Sequence, residues 1–195
     1  MWNHRLTRLI KVTNSQGIAR RFFVTNGFDG ALAMIGLFTG FYLSEGASVA
    51  VAAQAGIGAA VALFMSGSTS AYISESAERE KEISELENAM SKDLSNSLHG
   101  EAARLIPIWV AFVNGFSPLL ISLFIMTPLW LSLSGLILPG NVFLWVIGLS
   151  AVTIFFLGVY LSLISRQHWF ISGIKSLMIA ITTLVVILFL GEIPQ

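Results

Sequence analysis

The chain has 195 residues, of which 55% are hydrophobic and only 11% are charged, and its mean hydropathy is +0.78. Soluble domains carry roughly 25% charged residues, so the composition excludes an ordinary soluble protein and indicates one that crosses a membrane several times. The formal net charge is zero and there is no cysteine, which excludes disulfides, thiolate metal sites and thiol redox chemistry.

The first 21 residues combine apolar side chains with five basic ones, Arg5, Arg8, Lys11, Arg20 and Arg21. This pattern predicts a short amphipathic helix that lies on an anionic membrane surface on the cytoplasmic side. A disordered basic tail is the alternative. No small-residue cleavage site follows the next apolar run, so we expect no cleaved signal peptide.

Five apolar segments follow, near residues 22–43, 47–73, 105–133, 142–165 and 169–191. Each exceeds the ~20 residues that a helix needs to span a bilayer. The sequence therefore predicts an all-α, polytopic membrane protein with transmembrane helices 1–2 in residues 22–73 and helices 3–5 in residues 105–191. Residues 74–104 between them are a cytoplasmic helical extension with its linker. Pro118 in the third segment should open the helix hydrogen-bond ladder near mid-membrane.

Basic residues predict the orientation. All eleven lie in the N-terminal segment, in or at the end of the 74–104 connection, or around the connection near residues 165–168. In a five-span chain those regions share one side, and the positive-inside rule makes that side cytoplasmic. We expect the N-terminus in the cytoplasm and the C-terminus on the opposite side, in the cell membrane or a vacuole-type membrane.

One carboxylate, Asp29, lies inside the first apolar segment. At ~1.5 Å per helical residue it is roughly 10 Å past Phe22, about a third of the way through a ~30 Å hydrocarbon layer. An ionised carboxylate there costs about 2.5–3.5 kcal/mol unless it faces a partner or a wet cavity, so Asp29 is a candidate for an ion or proton path. The alternative is an N-cap of a helix that begins late, which would leave a short span.

Other polar or sulfur-bearing residues in the spans could assist Asp29. Asn26 lies one helical turn earlier on the same face, and Asn114 precedes Pro118 by four residues. The thioether of Met65 could contact a late divalent metal, although a methionine in a membrane is more often a packing residue. Gly36 and Gly40 form a small-xxx-small pair that would let helices approach closely within one subunit or across a dimer, or they merely reflect the frequency of glycine in membrane helices.

The residues after Tyr72 are rich in glutamate, and no glycine or proline interrupts them until Gly100. They should continue the second span as a helix into water. Four carboxylates fall on one arc of that helix and would suit Mn²⁺ or Fe²⁺, namely Glu75, Glu78, Glu82 and Glu85. The alternative is a solvated charged helix with internal pairs such as Glu75–Arg79 and Lys81–Glu85.

No pattern points to an enzyme, a prosthetic group or a nucleic-acid partner. The three histidines are far apart, no phosphate-binding glycine loop is present, and topology accounts for the basic residues. We therefore expect a protein whose partners are the lipid bilayer and ions.

Several stretches resemble the vacuolar iron transporter family, which includes the yeast vacuolar iron and manganese transporter. The sequence Asn-Gly-Phe-Asp-Gly at residues 26–30, followed by Gly40, is similar to the first-span signature of that family. Residues 72–74 with 78–80 resemble the end of its second span, and residues 118–120 and 172–180 resemble its later segments. The resemblance covers about residues 18–192.

The resemblance implies a homodimer of five-helix subunits that exchanges cytoplasmic Fe²⁺ or Mn²⁺ for protons, with the metal path between subunits. Asp29 matches the first-span transport aspartate of the family. The glutamates from Glu75 onward match, as a region, its cytoplasmic metal-collecting helix.

Two positions depart from the pattern of the family. The second-span glutamate and methionine of the family are replaced here by Ala71 and Gly67. Asp29 would then work with other ligands, namely Asn26, Asn114 and Met65. The alternative function is a non-transporting membrane scaffold or assembly protein that retains the fold and has lost the full metal site.

Overall fold

The computed structural model describes residues 15–44, 46–136, 139–165 and 168–191, and this part of the chain is helical apart from short connections. The helices are α1 (Ser15–Leu43), α2 (Val49–Met90), α3 (Leu98–Ile125), α4 (Thr127–Leu133), α5 (Val142–Ser165) and α6 (Trp169–Gly191). Five of them, all except α4, are long and apolar enough to cross a membrane. The predicted all-α fold with five transmembrane helices is confirmed. The amphipathic pattern predicted for residues 1–21 falls mainly on residues 1–14, outside the described ranges.

The third apolar segment is divided at a position other than Pro118. α3 runs on through Pro118 as a continuous helix, and the interruption lies at Met126, between α3 and α4. Pro128 has no N–H for the carbonyl of Phe124, and the Thr127 hydroxyl donates to that carbonyl instead, at 2.8 Å. A side chain therefore compensates the backbone bond that proline removes, as is common where membrane helices break.

α2 is longer than a bilayer is thick. Its 42 residues correspond to about 63 Å of helix, twice the ~30 Å of the hydrocarbon layer. The end that projects is residues 72–90, which we call the acidic extension because it holds six glutamates and two basic residues. Ser91 has a positive φ of 50° just after the helix, and the backbone N–H of Leu94 donates to Glu87 Oε1 at 2.8 Å. These features turn the chain towards α3.

The chain forms two compact units, and α1, α2 and α3 each contribute residues to both. Unit 1 comprises residues 1–23 and 64–116. Its described core is a small cluster of Ala102, Ile106 and Val110, against which Phe22 and Trp109 pack. Apolar contact thus ties the start of α1 to the first turns of α3.

Unit 2 comprises residues 24–63 and 117–195 and holds the larger core. Met34, Phe38 and Met126 are fully buried there. Gly56 of α2 lies directly against them, because a Cβ added to it would be 2.7 Å from Met126 Cε and 2.9 Å from Phe38 Cζ. α5 and α6 also pack closely, and a Cβ on Gly173 of α6 would be 2.5 Å from the Phe155 ring of α5.

Many hydroxyls within the spans are satisfied by their own helix. Ser150, Thr153 and Ser176 each donate to the carbonyl four residues earlier, at 2.7–3.1 Å. Ser70, in the serine-rich stretch of α2, donates to Gly67 O at 3.3 Å. Such bonds let hydroxyl side chains lie in apolar surroundings, so a serine within a span does not by itself indicate an ion path.

Candidate functional site

The Asn-Gly-Phe-Asp-Gly motif of α1 divides its residues between two faces of the helix. Gly27 and Gly30 are buried against α3. A Cβ on Gly27 would be 3.3 Å from Ser117 Oγ, and one on Gly30 would be only 2.8 Å from the carbonyl oxygen of Pro118. The glycines therefore allow the backbones of α1 and α3 to come into contact beside Pro118, as small residues do between membrane helices.

Asp29 lies on a different face of α1 and its side chain is exposed. It makes no hydrogen bond or ion pair with any residue in the described ranges. It is nine residues past Arg20, where the candidate span begins, which is about 13 Å along the helix. A carboxylate side chain is too short to reach the interface from that depth, so Asp29 needs a partner from outside the described ranges or a wet cleft.

The residues near Asp29 on the same face of α1 have small side chains, and one of them is polar. Thr25 and Gly40, one turn before and about three turns after Asp29 on the same side, are both exposed. A Cβ on Gly40 would touch nothing within 4 Å, and one on Gly36 would meet only Ile187 Cδ1 at 3.7 Å. Other described helices therefore cover little of this face of α1, which we call its open face.

Asn26 and Asn114 are both engaged within the chain. Asn26 is half-buried and has an interaction of its own. Asn114 is 5% exposed, and its Nδ2 donates to the backbone carbonyl of Gly67 at 2.6 Å. This bond links α3 to α2 inside unit 1. Asn26 and Asp29 belong to unit 2, whereas Asn114 and Met65 belong to unit 1.

Gly67 and Ala71, which replace the two second-span ligands of the resembled family, are packing residues here. A Cβ on Gly67 would be 3.3 Å from the Cα of Gly115. One on Gly115 would be 2.5 Å from the carbonyl oxygen of Phe64, so the backbones of α2 and α3 are in contact. Ala71 is only 8% exposed. Gly67 and Ala71 therefore do not leave a vacant half of a metal site, because both positions are used for packing.

The methionine thioethers in the spans lie in two environments. Met65 is 56% exposed and, two residues before Gly67, points to nearly the opposite side of α2. Met34 and Met126 are fully buried in the apolar core of unit 2. Met65 is thus accessible to a ligand, whereas Met34 and Met126 serve as core residues.

The acidic extension contains the ion pairs that the alternative interpretation predicts. Arg79 contacts Glu75 and Glu82 at 2.7 Å each, and the Arg79 and Glu75 side chains are only 12% exposed. Lys81 and Glu85 are 4.0 Å apart and about 70% exposed. Glu78 is exposed. Across the described ranges no group of three or more His, Asp or Glu side chains is placed to hold a metal, so a metal-collecting role for these glutamates stays a prediction.

A groove beside the acidic extension was not predicted from the sequence. It has a volume of about 380 Å³ and lies between the extension and the first turns of α3. Glu80, Glu87 and Arg104 line it, and none of the three belongs to the four-glutamate arc predicted for metal. The heptad-like recurrence of Tyr72, Ser76, Glu80 and Glu87 could have pointed to a shared face of the helix.

The fold and its surfaces define an integral membrane protein of five spanning helices. The chain is similar to an uncharacterized protein of Methanocaldococcus jannaschii, with 29% identity over 174 residues that cover 87% of this chain and 86% of that protein. No family model matches the chain. No solved structure matches it significantly.

Proposed function

We propose that this protein moves a divalent metal ion, Fe²⁺ or Mn²⁺, out of the cytoplasm in exchange for protons, as the resemblance to vacuolar iron transporters implies. One observation carries the proposal: Asp29 is exposed and without a described partner about 13 Å into the first span. An ionisable group at this depth costs about 2.5–3.5 kcal/mol on membrane insertion, and a role in transport would explain its presence.

The proposed mechanism uses one carboxylate for two ions. Asp29 holds either the metal or a proton, and because each excludes the other, the two fluxes are coupled. Asn26, one helical turn earlier on α1 and in the same unit, is the other candidate ligand. In a homodimer, the open face of α1 would lie against a second subunit, which would supply the partner that Asp29 lacks among the described residues of its own subunit.

The orientation belongs to the same proposal. The positive-inside rule places the N-terminus and the acidic extension in the cytoplasm and the C-terminus on the other side. Glu75, Glu78, Glu82 and Glu85 would then concentrate cations at the cytoplasmic entrance. Glu78 and the weakly paired Glu85 are the more available of the four, because Arg79 occupies Glu75 and Glu82.

Flux measurements on proteoliposomes test the proposal. Wild-type protein, Asp29→Asn and the control Asp93→Asn would be compared for Mn²⁺ and Fe²⁺ uptake, with a pH-sensitive dye reporting proton movement. We expect Asp29→Asn to lose metal and proton flux together by at least tenfold, roughly the effect of losing one group of a metal site. Asp93 lies outside the spans, so its variant should behave as wild type. Equal flux for wild type and Asp29→Asn would exclude the mechanism.

A non-transporting scaffold is the second candidate function, and the packing at Gly67 favours it. In that case wild-type protein moves no metal, and titration of the purified protein with Mn²⁺ or Fe²⁺ gives no saturable binding. Saturable micromolar binding that Asp29→Asn weakens would count against the scaffold.

A further inference from the structure

A groove between α4 and α5 lies within unit 2 and has an almost wholly apolar lining. Its volume is about 570 Å³. Pro128 of α4 and residues 139–141 of the connection before α5 form one side of it. The other side is one face of α5, made of Leu144, Trp145, Gly148, Leu149 and Val152. We call this feature the α4–α5 groove.

Contacts at the beginning of α5 fix the shape of the groove. The Nε1–H of Trp145 donates to the carbonyl oxygen of Pro139 at 2.9 Å, which holds the connection against the helix. Further along, a Cβ on Gly148 would touch nothing within 4 Å. Glycine therefore leaves the groove open between Leu144 and Val152, which are each 50% exposed.

The α4–α5 groove is about as long as one leaflet of a bilayer is thick. The span in α5 begins at Val142, and Val152 lies ten residues further, which is about 15 Å along the helix. Half of a ~30 Å hydrocarbon layer is also about 15 Å. The groove thus runs from one membrane surface to about the middle of the membrane.

The chemistry of the lining favours a hydrocarbon chain over water or an ion. None of the described residues that line the groove is charged, so an ion would gain no partner there. A bound water needs two to four polar partners, and the Trp145 N–H is already donated to Pro139. An unfilled groove would lose the dispersion contacts of its walls, and lipid chains are the medium around a membrane span.

Asn141 adds a polar group at the surface end of the groove. Its side chain is exposed, and its Oδ1 accepts the backbone N–H of Phe143 at 2.9 Å. Its Nδ2 has no hydrogen-bond partner among the described residues. A side-chain amide carries two N–H donors, which suit the ester or phosphate oxygens of a lipid head group.

We propose that the α4–α5 groove binds one chain of a phospholipid from the leaflet in which α5 begins. The chain lies along Leu144, Gly148 and Val152, and an oxygen of the ester or phosphate group accepts a hydrogen bond from Asn141. A concave apolar site with one well-placed polar group is the usual form of a small-molecule site. The proposal is independent of metal transport.

Photolabelling tests the position of the chain. The full-length protein would be placed in phosphatidylcholine nanodiscs with a small fraction of phosphatidylcholine that carries a diazirine in mid-chain, and labelled residues would be located by peptide mass spectrometry. We expect Leu149, half-buried in the groove, to be labelled several times more than Phe156, which is 63% exposed outside it. Labelling that simply follows exposure, with Phe156 above Leu149, would overturn the proposal.

A variant that fills the groove provides the comparison. Gly148→Leu should reduce the label on Leu149 at least fivefold, and an unchanged label would overturn the proposal. Gly58→Leu in α2 is the matched control, because a Cβ on either glycine touches nothing within 4 Å and both variants should fold. The control should label as wild type does.

The polar end of the groove has a separate test. Asn141→Asp keeps an oxygen for the N–H of Phe143 and removes the amide donors. Native mass spectrometry of the purified chain with added phosphatidylcholine should show one bound lipid in wild type and roughly fivefold weaker binding in the variant, the effect of losing about one hydrogen bond. Equal binding would overturn the proposal. So would disulfide-linked dimers of Val152→Cys, because the natural chain has no cysteine and a second copy would then occupy the groove.

Discussion

The Nδ2 atom of Asn114 in α3 donates a hydrogen bond of 2.6 Å to the backbone carbonyl of Gly67 in α2. The bond lies beside the point where the backbones meet, since a Cβ on Gly67 would be 3.3 Å from Gly115 Cα. A polar side chain and two glycines thus secure one helix contact inside unit 1.

Asn114→Ala should destabilise the protein by about 0.6 kcal/mol and by up to about 1.7, the average and the maximum measured for hydrogen bonds between membrane helices. Reversible unfolding in mixed micelles would measure the change. Ile108→Ala, at a position 57% exposed on the same helix, should change the free energy of unfolding much less. If the two variants are equally stable, the hydrogen bond does not contribute to stability.

Gly115→Ala should destabilise the protein by about 1–3 kcal/mol, because the new methyl would lie 2.5 Å from the Phe64 carbonyl and would force α2 and α3 apart. The matched control is Gly148→Ala in α5, where a Cβ touches nothing within 4 Å and alanine favours the helix. Gly67→Met should also destabilise, and it should not create a thioether ligand for metal. Tighter Mn²⁺ or Fe²⁺ binding by Gly67→Met would contradict this interpretation of position 67.

Arg79→Gln should destabilise the protein by about 1–3 kcal/mol, because Glu75, only 12% exposed, would lose its partner. Lys81→Gln removes a pair whose side chains are about 70% exposed and should change stability little. Thermal unfolding of the two variants at equal ionic strength makes the comparison. An equal effect of both substitutions would mean that burial of the Arg79 pair is energetically unimportant.

Asp93 should titrate below 3.8, because the backbone N–H of Ser95 donates to its Oδ1 at 2.8 Å and lowers the carboxyl pKa, with the Ser95 hydroxyl adding to this. The bond therefore stabilises the turn above the unfolded pKa, and its contribution is lost as pH falls through the folded pKa. Carbon-13 NMR of the labelled carboxyl would measure the midpoint. Ser95→Ala keeps the backbone bond and should move the midpoint only part of the way back. A midpoint at or above 3.8 in the wild type would refute the assignment.

The sequence alone determined the five spans and the helical continuation of α2. Hydropathy, helix length and the absence of breakers are local properties, and each span is specified by its own residues. In the third segment, local properties did not predict where the helix is interrupted. Pro118 and Pro128 are chemically alike, yet the helix runs through one and is interrupted next to the other, where the Thr127 hydroxyl takes over the orphaned carbonyl.

Only the tertiary structure decided which face of each helix packs and which is open. Lipid and protein core are both apolar, so a membrane helix need not show the one-sided pattern that marks the buried face of a soluble helix. The sequence therefore marked Asp29 as unusual, but the structure was needed to place it on a different face from the buried Gly27 and Gly30. It was equally needed to show that Gly67 is a packing residue, because close backbone contact depends on residues from two helices at once.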